Sequence, residues 1–387
     1  MEDFISDLSI LFVCSALLSF LAILLKQPII VAYILCGMIV GPWGMGFVKN
    51  TKFIEMISHL GITLLLFLAG LCLHPQKLFG LFKKALFVTF ANCIGSFIIA
   101  FSFSLVFRFS LIDSLCIGLA LMFSSTILTI KLLPTTRLHQ QRMGAICISV
   151  LILQDLLAIG VLVFIRSMNL GQTAIASFIL LLGKLCILIF LLVLFEYYVL
   201  RKIMTYVNRI HEALFILGLA WCFGVATLSY KLGLLYETGA FFAGVVLARH
   251  KISFFISEEL KPLRDFFLVL FFFALGAKLD VLVMKNIFLP ALILMVIFIL
   301  VKPWILKKAF FLSGEKEDFS NELGVRLGQL SEFSLLIALL AFELGNITKR
   351  ASQLIQLVTI LTFIVSSYIV VFKYPTPIGT TKKLIRD

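Results

Sequence analysis

The sequence predicts an all-α, polytopic membrane fold of about thirteen spans in two inverted repeats, and three observations carry that prediction. Of the 387 residues, 61% are apolar and 14% charged, with a mean hydropathy of +1.13. Such a chain has too little polar surface to face water on every side. Its apolar residues fall into runs of about 18 to 25, each long enough to cross roughly 30 Å of hydrocarbon. The third observation is an internal echo: Tyr33-Ile-Leu-Cys-Gly-Met-Ile-Val-Gly41 followed by Leu64 to Leu73 resembles Thr238-Gly-Ala-Phe-Phe-Ala-Gly-Val-Val246 followed by Leu268 to Lys278.

In chain order the expected spans are 8–25, 28–42, 58–73, 85–107, 112–133, 143–165, 172–199, 211–230, 235–248, 264–280, 287–312, 323–345 and 351–372. The second and ninth are short and rich in glycine, and so are the least clearly marked of the thirteen. Gly37 matches Gly244 at a shift of 207, Gly70 matches Gly276 at 206, and Ser124 in the fifth span matches Ser331 in the twelfth. A shift of seven spans, being odd, reverses direction across the bilayer, so the repeats, about 8–165 and 211–372 with 172–199 as linker, are inverted. One transmembrane domain, 1–373, and a short cytoplasmic tail, 374–387, result.

The cysteines, Cys14, Cys36, Cys72, Cys93, Cys116, Cys147, Cys186 and Cys222, all lie in apolar runs without CxxC spacing and read as small core residues. The pair Cys72 and His74 supplies too few ligands for a transition metal. Met1 to Ser6 carries two acids and no base, unlike a cleavable signal, so the first helix is expected to stay. The net charge of +13 is spread over short loops rather than gathered in a domain, which argues against a nucleic-acid partner. With the N-terminus outside, roughly 21 Lys and Arg face the cytoplasm against roughly 9 opposite, so the positive-inside rule gives N-out, C-in.

Inverted repeats place a transport site near the midplane where interrupted helices cross, here the fifth and twelfth spans. Ser124, Ser125 and Thr126 sit mid-span, and their hydroxyls can support a local break or offer oxygen to a hard cation. In the twelfth, Gly328-Gln-Leu-Ser-Glu-Phe333 puts Ser331 and Glu332 where lipid tolerates neither well. Asp155, beside Gln154 in the middle of the sixth span, is the decisive residue. A lone carboxylate at that depth is costly unless water or a cation reaches it, and burial favours its protonated form while a cation favours the ionised one. Proton and cation then compete for one site. Lys302 either balances acids and the carbonyl ends of broken helices or snorkels toward Lys307 and Lys308. Arg326 and Glu332 form a structural pair across the twelfth-span break, or one with Lys302, while Lys184 has no evident partner.

These residues resemble the monovalent cation:proton antiporter-2 family, in its bacterial Kef-type potassium efflux branch. The likeness runs through Gln27 to Pro42, Gly61 to Leu71, Ser124 to Thr126, Leu151-Ile-Leu-Gln-Asp-Leu156, Gly239 to Ala248, Leu270 to Gly276 and Gln329 to Phe333, and it is their order and spacing together that are specific. The resemblance implies a sodium/proton antiporter-like fold, a homodimer, a core domain moving against a dimerisation domain, and Asp155 as carrier of K+ or Na+ and of H+ in a bacterial inner membrane. Two departures stand out: Cys72 where the family commonly has an acid, and Ser331 where it usually has glycine. About fifteen residues follow the last span, where Kef-type proteins usually carry a nucleotide-binding regulatory domain, and no Gly-rich phosphate loop occurs, so neither ATP nor another cofactor is expected; a separate regulatory subunit is a candidate partner. The chemistry expected is exchange rather than enzyme catalysis. A ligand-gated potassium channel and a transport-free membrane sensor remain the alternatives at this stage, because fold alone does not decide function.

Overall fold

The computed structural model describes residues 2–25, 27, 29–48, 51–71, 82–133, 142–168, 174–207, 211–248 and 253–376. Cys72 and His74 lie outside them. The helices are α1 Glu2–Leu24, α2 Ile29–Val40, α3 Thr51–Leu71, α4 Phe82–Val106, α5 Leu111–Ala120, α6 Thr126–Leu132, α7 Arg142–Ser167 and α8 Ala174–Phe195. A π-helical turn, Glu196–Leu200, joins α8 to α9 Arg201–Val207. There follow α10 His211–Lys231, α11 Tyr236–Leu247, α12 Ser253–Ala277, α13 Val281–Leu312, α14 Glu317–Arg326, α15 Glu332–Glu343 and α16 Lys349–Lys373. Among the described residues, seven helical stretches are long and apolar enough to cross a bilayer and five shorter apolar ones accompany them. With the split twelfth span, α14 and α15, these account for the expected crossings. Two ends differ from expectation: α3 begins at Thr51 and α12 at Ser253. Apolar runs mark the depth of lipid, whereas the helical backbone continues beyond them into stretches whose sequence carries charge.

The glycines that revealed the repeat are where helices touch backbone to backbone. A methyl group on Gly37 would lie 2.0 Å from the Phe273 carbonyl oxygen, and one on Gly276 2.0 Å from that of Ile34, so α2 and α12 cross without side chains between them. A methyl group on Gly70 would lie 2.2 Å from the Phe241 carbonyl oxygen and one on Gly244 2.1 Å from that of Phe67, so α3 and α11 cross likewise. The Gly37–Phe273 contact maps onto Gly244–Phe67 under the repeat shift, with partners exchanged. Two halves related by a two-fold axis produce that exchange.

Tight crossings separate the bundle into two bodies. In the first, α2, α3, α10, α11 and α12 pack through Gly37, Gly61, Gly70, Gly218, Gly244 and Gly276, and α1 lies against α2. In the second, α4 packs on α13 through Gly95 against Ile305, α5 on α4 through Gly118 against Phe97, and α14 on α13 through Gly324 against the Pro303 carbonyl. The second also takes in α7 against α4, α15 against α5 and α16 against α13, and between the bodies lies an apolar seam in which Ile34, Ile62 and Phe271 of the first share one cluster with Ile159, Ile337 and Leu354 of the second. Side chains, not backbones, meet there, which leaves that boundary easier to shear than the glycine crossings.

Candidate functional site

Both central helices are interrupted, each by a short stretch of non-helical backbone. Helix α5 stops at Ala120, residues 121–125 leave helical geometry, and α6 restarts at Thr126 with the Ser125 hydroxyl accepting from Leu128 N at 3.0 Å. Helix α14 stops at Arg326, and α15 restarts at Glu332 with the Ser331 hydroxyl accepting from Phe333 N at 3.1 Å. Ser125 and Ser331 are therefore caps at the two restarts, each satisfying an orphan amide. Of the two roles offered for Ser125, its hydroxyl takes that of supporting the break.

Unwound backbone buried in a membrane protein must find partners, and here side chains supply them. Along the first break, Asn92 Nδ2 donates to Met122 O at 3.0 Å and Gln154 Oε1 accepts from Ser124 N at 2.7 Å. Lys302, fully buried on α13, donates to Phe123 O and, at 3.3 Å, to Gln329 O in the second break. One ammonium thus ties both breaks. Its aim at carbonyls, with no exposure, replaces the snorkelling alternative, and α13 does run on to the turn at Ser313 and Gly314. In the second break Leu330 N donates to Thr362 Oγ1 at 3.4 Å, and the Gln329 side chain joins Thr129 Oγ1 (2.7 Å) to Ser366 Oγ (3.2 Å). Arg326 reaches across to α6, donating to Leu132 O at 3.1 Å. Its ion-pair partner is Glu322, one turn back at 2.8 Å, rather than the Glu332 that the sequence suggested.

Asp155 faces this crossing from α7 and is 4% exposed. The Thr126 hydroxyl, at the first position of α6, lies 3.2 Å from each of its carboxylate oxygens and can donate to one at a time. Glu332, at the start of α15, lies within electrostatic reach of the same carboxylate. Next to the break, Ser124 Oγ and Gln154 Nε2 are buried without a protein partner, so one acceptor-capable oxygen and one donor stay available for a ligand. The arrangement gathers Asp155, Gln154, Ser124 and Thr126 at the unwound segment, and places Lys302, Ser331 and Arg326 as its scaffold. Among the described residues no group of three His, Cys, Asp or Glu side chains is placed to hold a metal ion. Such a set of hard oxygens suits an alkali cation better than a transition metal.

Sequence reasoning missed three tethers, Asn92, Thr129 and Thr362, and marked Gln329 only as a polar group in the twelfth span. Each is a polar residue inside an apolar run, a signal that was present, but which backbone group each serves is set by helix crossing. Lys184, unassigned from sequence, donates to Leu232 O at 3.0 Å and so closes the end of α10.

The whole of this architecture has counterparts. The transmembrane sodium/hydrogen exchanger family model matches residues 8–372. An iron transporter, MagA, of Paramagnetospirillum magneticum is 28% identical over 350 residues, covering 89% of this chain and 80% of that protein. The glutathione-regulated potassium-efflux system protein KefC of Escherichia coli is 28% identical over 334 residues, covering 84% of this chain and 53% of that protein, so the chain spans about half of KefC. The sodium proton antiporter MjNhaP1 of Methanocaldococcus jannaschii superposes with a TM-score of 0.72 over 94% of this chain and 95% of that one at 17% identity, a likeness of fold. On the match across 8–372, the chain belongs to the transmembrane sodium/hydrogen exchanger family.

Proposed function

We propose that the protein exchanges a monovalent cation for a proton, with Asp155 as the carrier and the unwound segment 121–125 completing the site. The observation that carries this reading is a carboxylate held almost without solvent, facing a hydroxyl at a helix break, in a membrane-spanning bundle. A buried carboxylate without a counter-charge is tolerated when protonated, and is ionised when a cation takes the proton's place. Alternation of those two states, each exposed in turn to one side, is exchange. The likeness to KefC, together with the resemblance of Gln154-Asp155 to the Kef-type motif, favours K+ over Na+, and Gln154 rather than a second acid before Asp155 in the sequence favours one-for-one exchange. Glutamine neither takes nor gives a proton near neutral pH, so both loaded states of the site carry the same charge. The assembly belonging to this reading is a homodimer in a bacterial inner membrane, N-terminus outside.

The test is proton flux in proteoliposomes driven by imposed K+ or Na+ gradients, for the wild type and Asp155→Asn. Coupled, saturable flux in the wild type and its loss in a well-inserted variant is the expected outcome. Exchange that persists in Asp155→Asn, or uncoupled current in the wild type, overturns the reading.

A further inference from the structure

At the end of the bundle where α3 begins and α15 finishes, a small cluster of charges bridges the two bodies across the apolar seam. His59 of α3 has Nδ1 3.5 Å from Glu237 Oε1 of α11 and Nε2 3.4 Å from Glu343 Oε2, the last residue of α15. Lys278, just past α12, lies 2.9 Å from the other oxygen of Glu343. Glu237 is nearly buried, at 2% side-chain exposure, while His59 keeps 44% and so remains open to protons from solution. His59, Glu237 and Lys278 belong to the first body and Glu343 to the second. A second tie lies at the same end, where the Lys349 ammonium of α16 sits 4.8 Å from the centre of the Trp43 ring.

We propose that His59, Lys278 and Glu343 form a proton-operated latch that closes this end of the seam. The geometry points to the imidazolium as its working form. A neutral imidazole has one N–H and one lone pair, so with a carboxylate facing each nitrogen it can satisfy one and must set its lone pair against the other. The imidazolium donates to both. Protonation therefore links α3 and α11 to α15, and deprotonation leaves Glu343 held by Lys278 alone. The charged groups facing the imidazole are Glu237 from α11, Glu343 from α15 and Lys278 from the end of α12. Exchange at Asp155 requires the seam to open toward each side in turn, so a latch at one end slows the cycle when that side is acidic. This step rests on the exchange reading above; the latch itself does not.

Two measurements separate them. In the flux assay between about pH 5.5 and 8, His59→Gln is expected to run roughly three-fold faster than the wild type at the acid end and equally fast at the alkaline end, the size of change a partly exposed ion pair supports. Adding His59→Gln to Glu343→Gln should change nothing further, because the pair is already broken. Superimposable pH profiles for wild type and His59→Gln overturn the latch. If the wild type shows no exchange at all, the exchange reading falls, and the latch is then judged by hydrogen exchange in the purified protein. Amides of 343–349, corrected for intrinsic rate, should lose protection between about pH 6 and 8 in the wild type and not in His59→Gln. Equal pH dependence in both proteins overturns it.

Discussion

The broken helices at 111–132 and 317–343 occupy equivalent places in the two repeats, yet only one faces an acid from its neighbouring long helix. Under the shift of 207 that carries Ser124 onto Ser331, Asp155 of α7 falls on Thr362 of α16. Thr362 takes a backbone amide, that of Leu330, while on α7 the backbone amide of the break goes to Gln154 and leaves Asp155 facing the Thr126 hydroxyl. The buried lysine is one-sided too. Lys302 stands on α13, where the same register in α4 holds Gly95 and Ser96. The two repeats share a scaffold and differ in what they carry, one the buried carboxylate of Asp155 and the other the Lys302 side chain that holds both breaks. On the proposed reading, that asymmetry gives one carrier and one charge per cycle.

The strongest way to break that comparison is at the shared tie. Lys302→Met deprives Phe123 O and Gln329 O of their donor, and orphaning buried carbonyls costs about 1–3 kcal/mol each. A stability loss of about 2–5 kcal/mol in thermal or denaturant unfolding of the purified protein is expected. Lys302→Gln, which keeps donors without the charge, should retain part of it. Were neither unfolding nor transport altered in either variant, the two breaks would have to be held by other means.

Matched threonine substitutions sharpen the contrast between the repeats. Thr126→Val keeps the volume and removes the hydroxyl facing Asp155, so the half-saturating cation concentration should rise about five-fold, the worth of one net hydrogen bond, with the maximal rate nearly kept. Thr362→Val should instead lower stability by about 1 kcal/mol and leave half-saturation where it was, since its partners are backbone groups. A shift in apparent affinity from Thr362→Val equal to that from Thr126→Val would erase the asymmetry.

The smallest expected effect is none. If, as proposed, one carboxylate is compensated by one proton or one monovalent cation, the loaded site would have equal charge in both directions, and a membrane potential worth about 2.3 kcal/mol per charge per 100 mV would do no work on the cycle. Cation-driven proton flux with the voltage clamped at several values should reverse at one and the same ion gradient. A reversal point that moves with voltage would mean that Lys302 or Glu332 titrates during transport.

Much of this molecule is legible in its sequence, and the reason is the solvent. Lipid forces each crossing to satisfy its own backbone, so length and hydropathy alone reveal the spans, and any acid within one, such as Asp155, stands out against its surroundings. The glycines at 37, 70, 244 and 276 disclosed the repeat because helices that touch backbone to backbone admit no other residue. Tertiary structure decided what sequence spacing cannot encode, namely which partner each polar group finds across a helix crossing. It sent Lys302 to two carbonyls instead of toward water, gave Arg326 to Glu322 and Leu132 O, turned the Ser125 hydroxyl onto its own helix, and drew Asn92 and Thr129 into the scaffold. The partners that meet across helices in this scaffold are 27 to 200 residues apart along the chain, and a hydrogen bond depends on a few tenths of an ångström that only the packed crossing fixes.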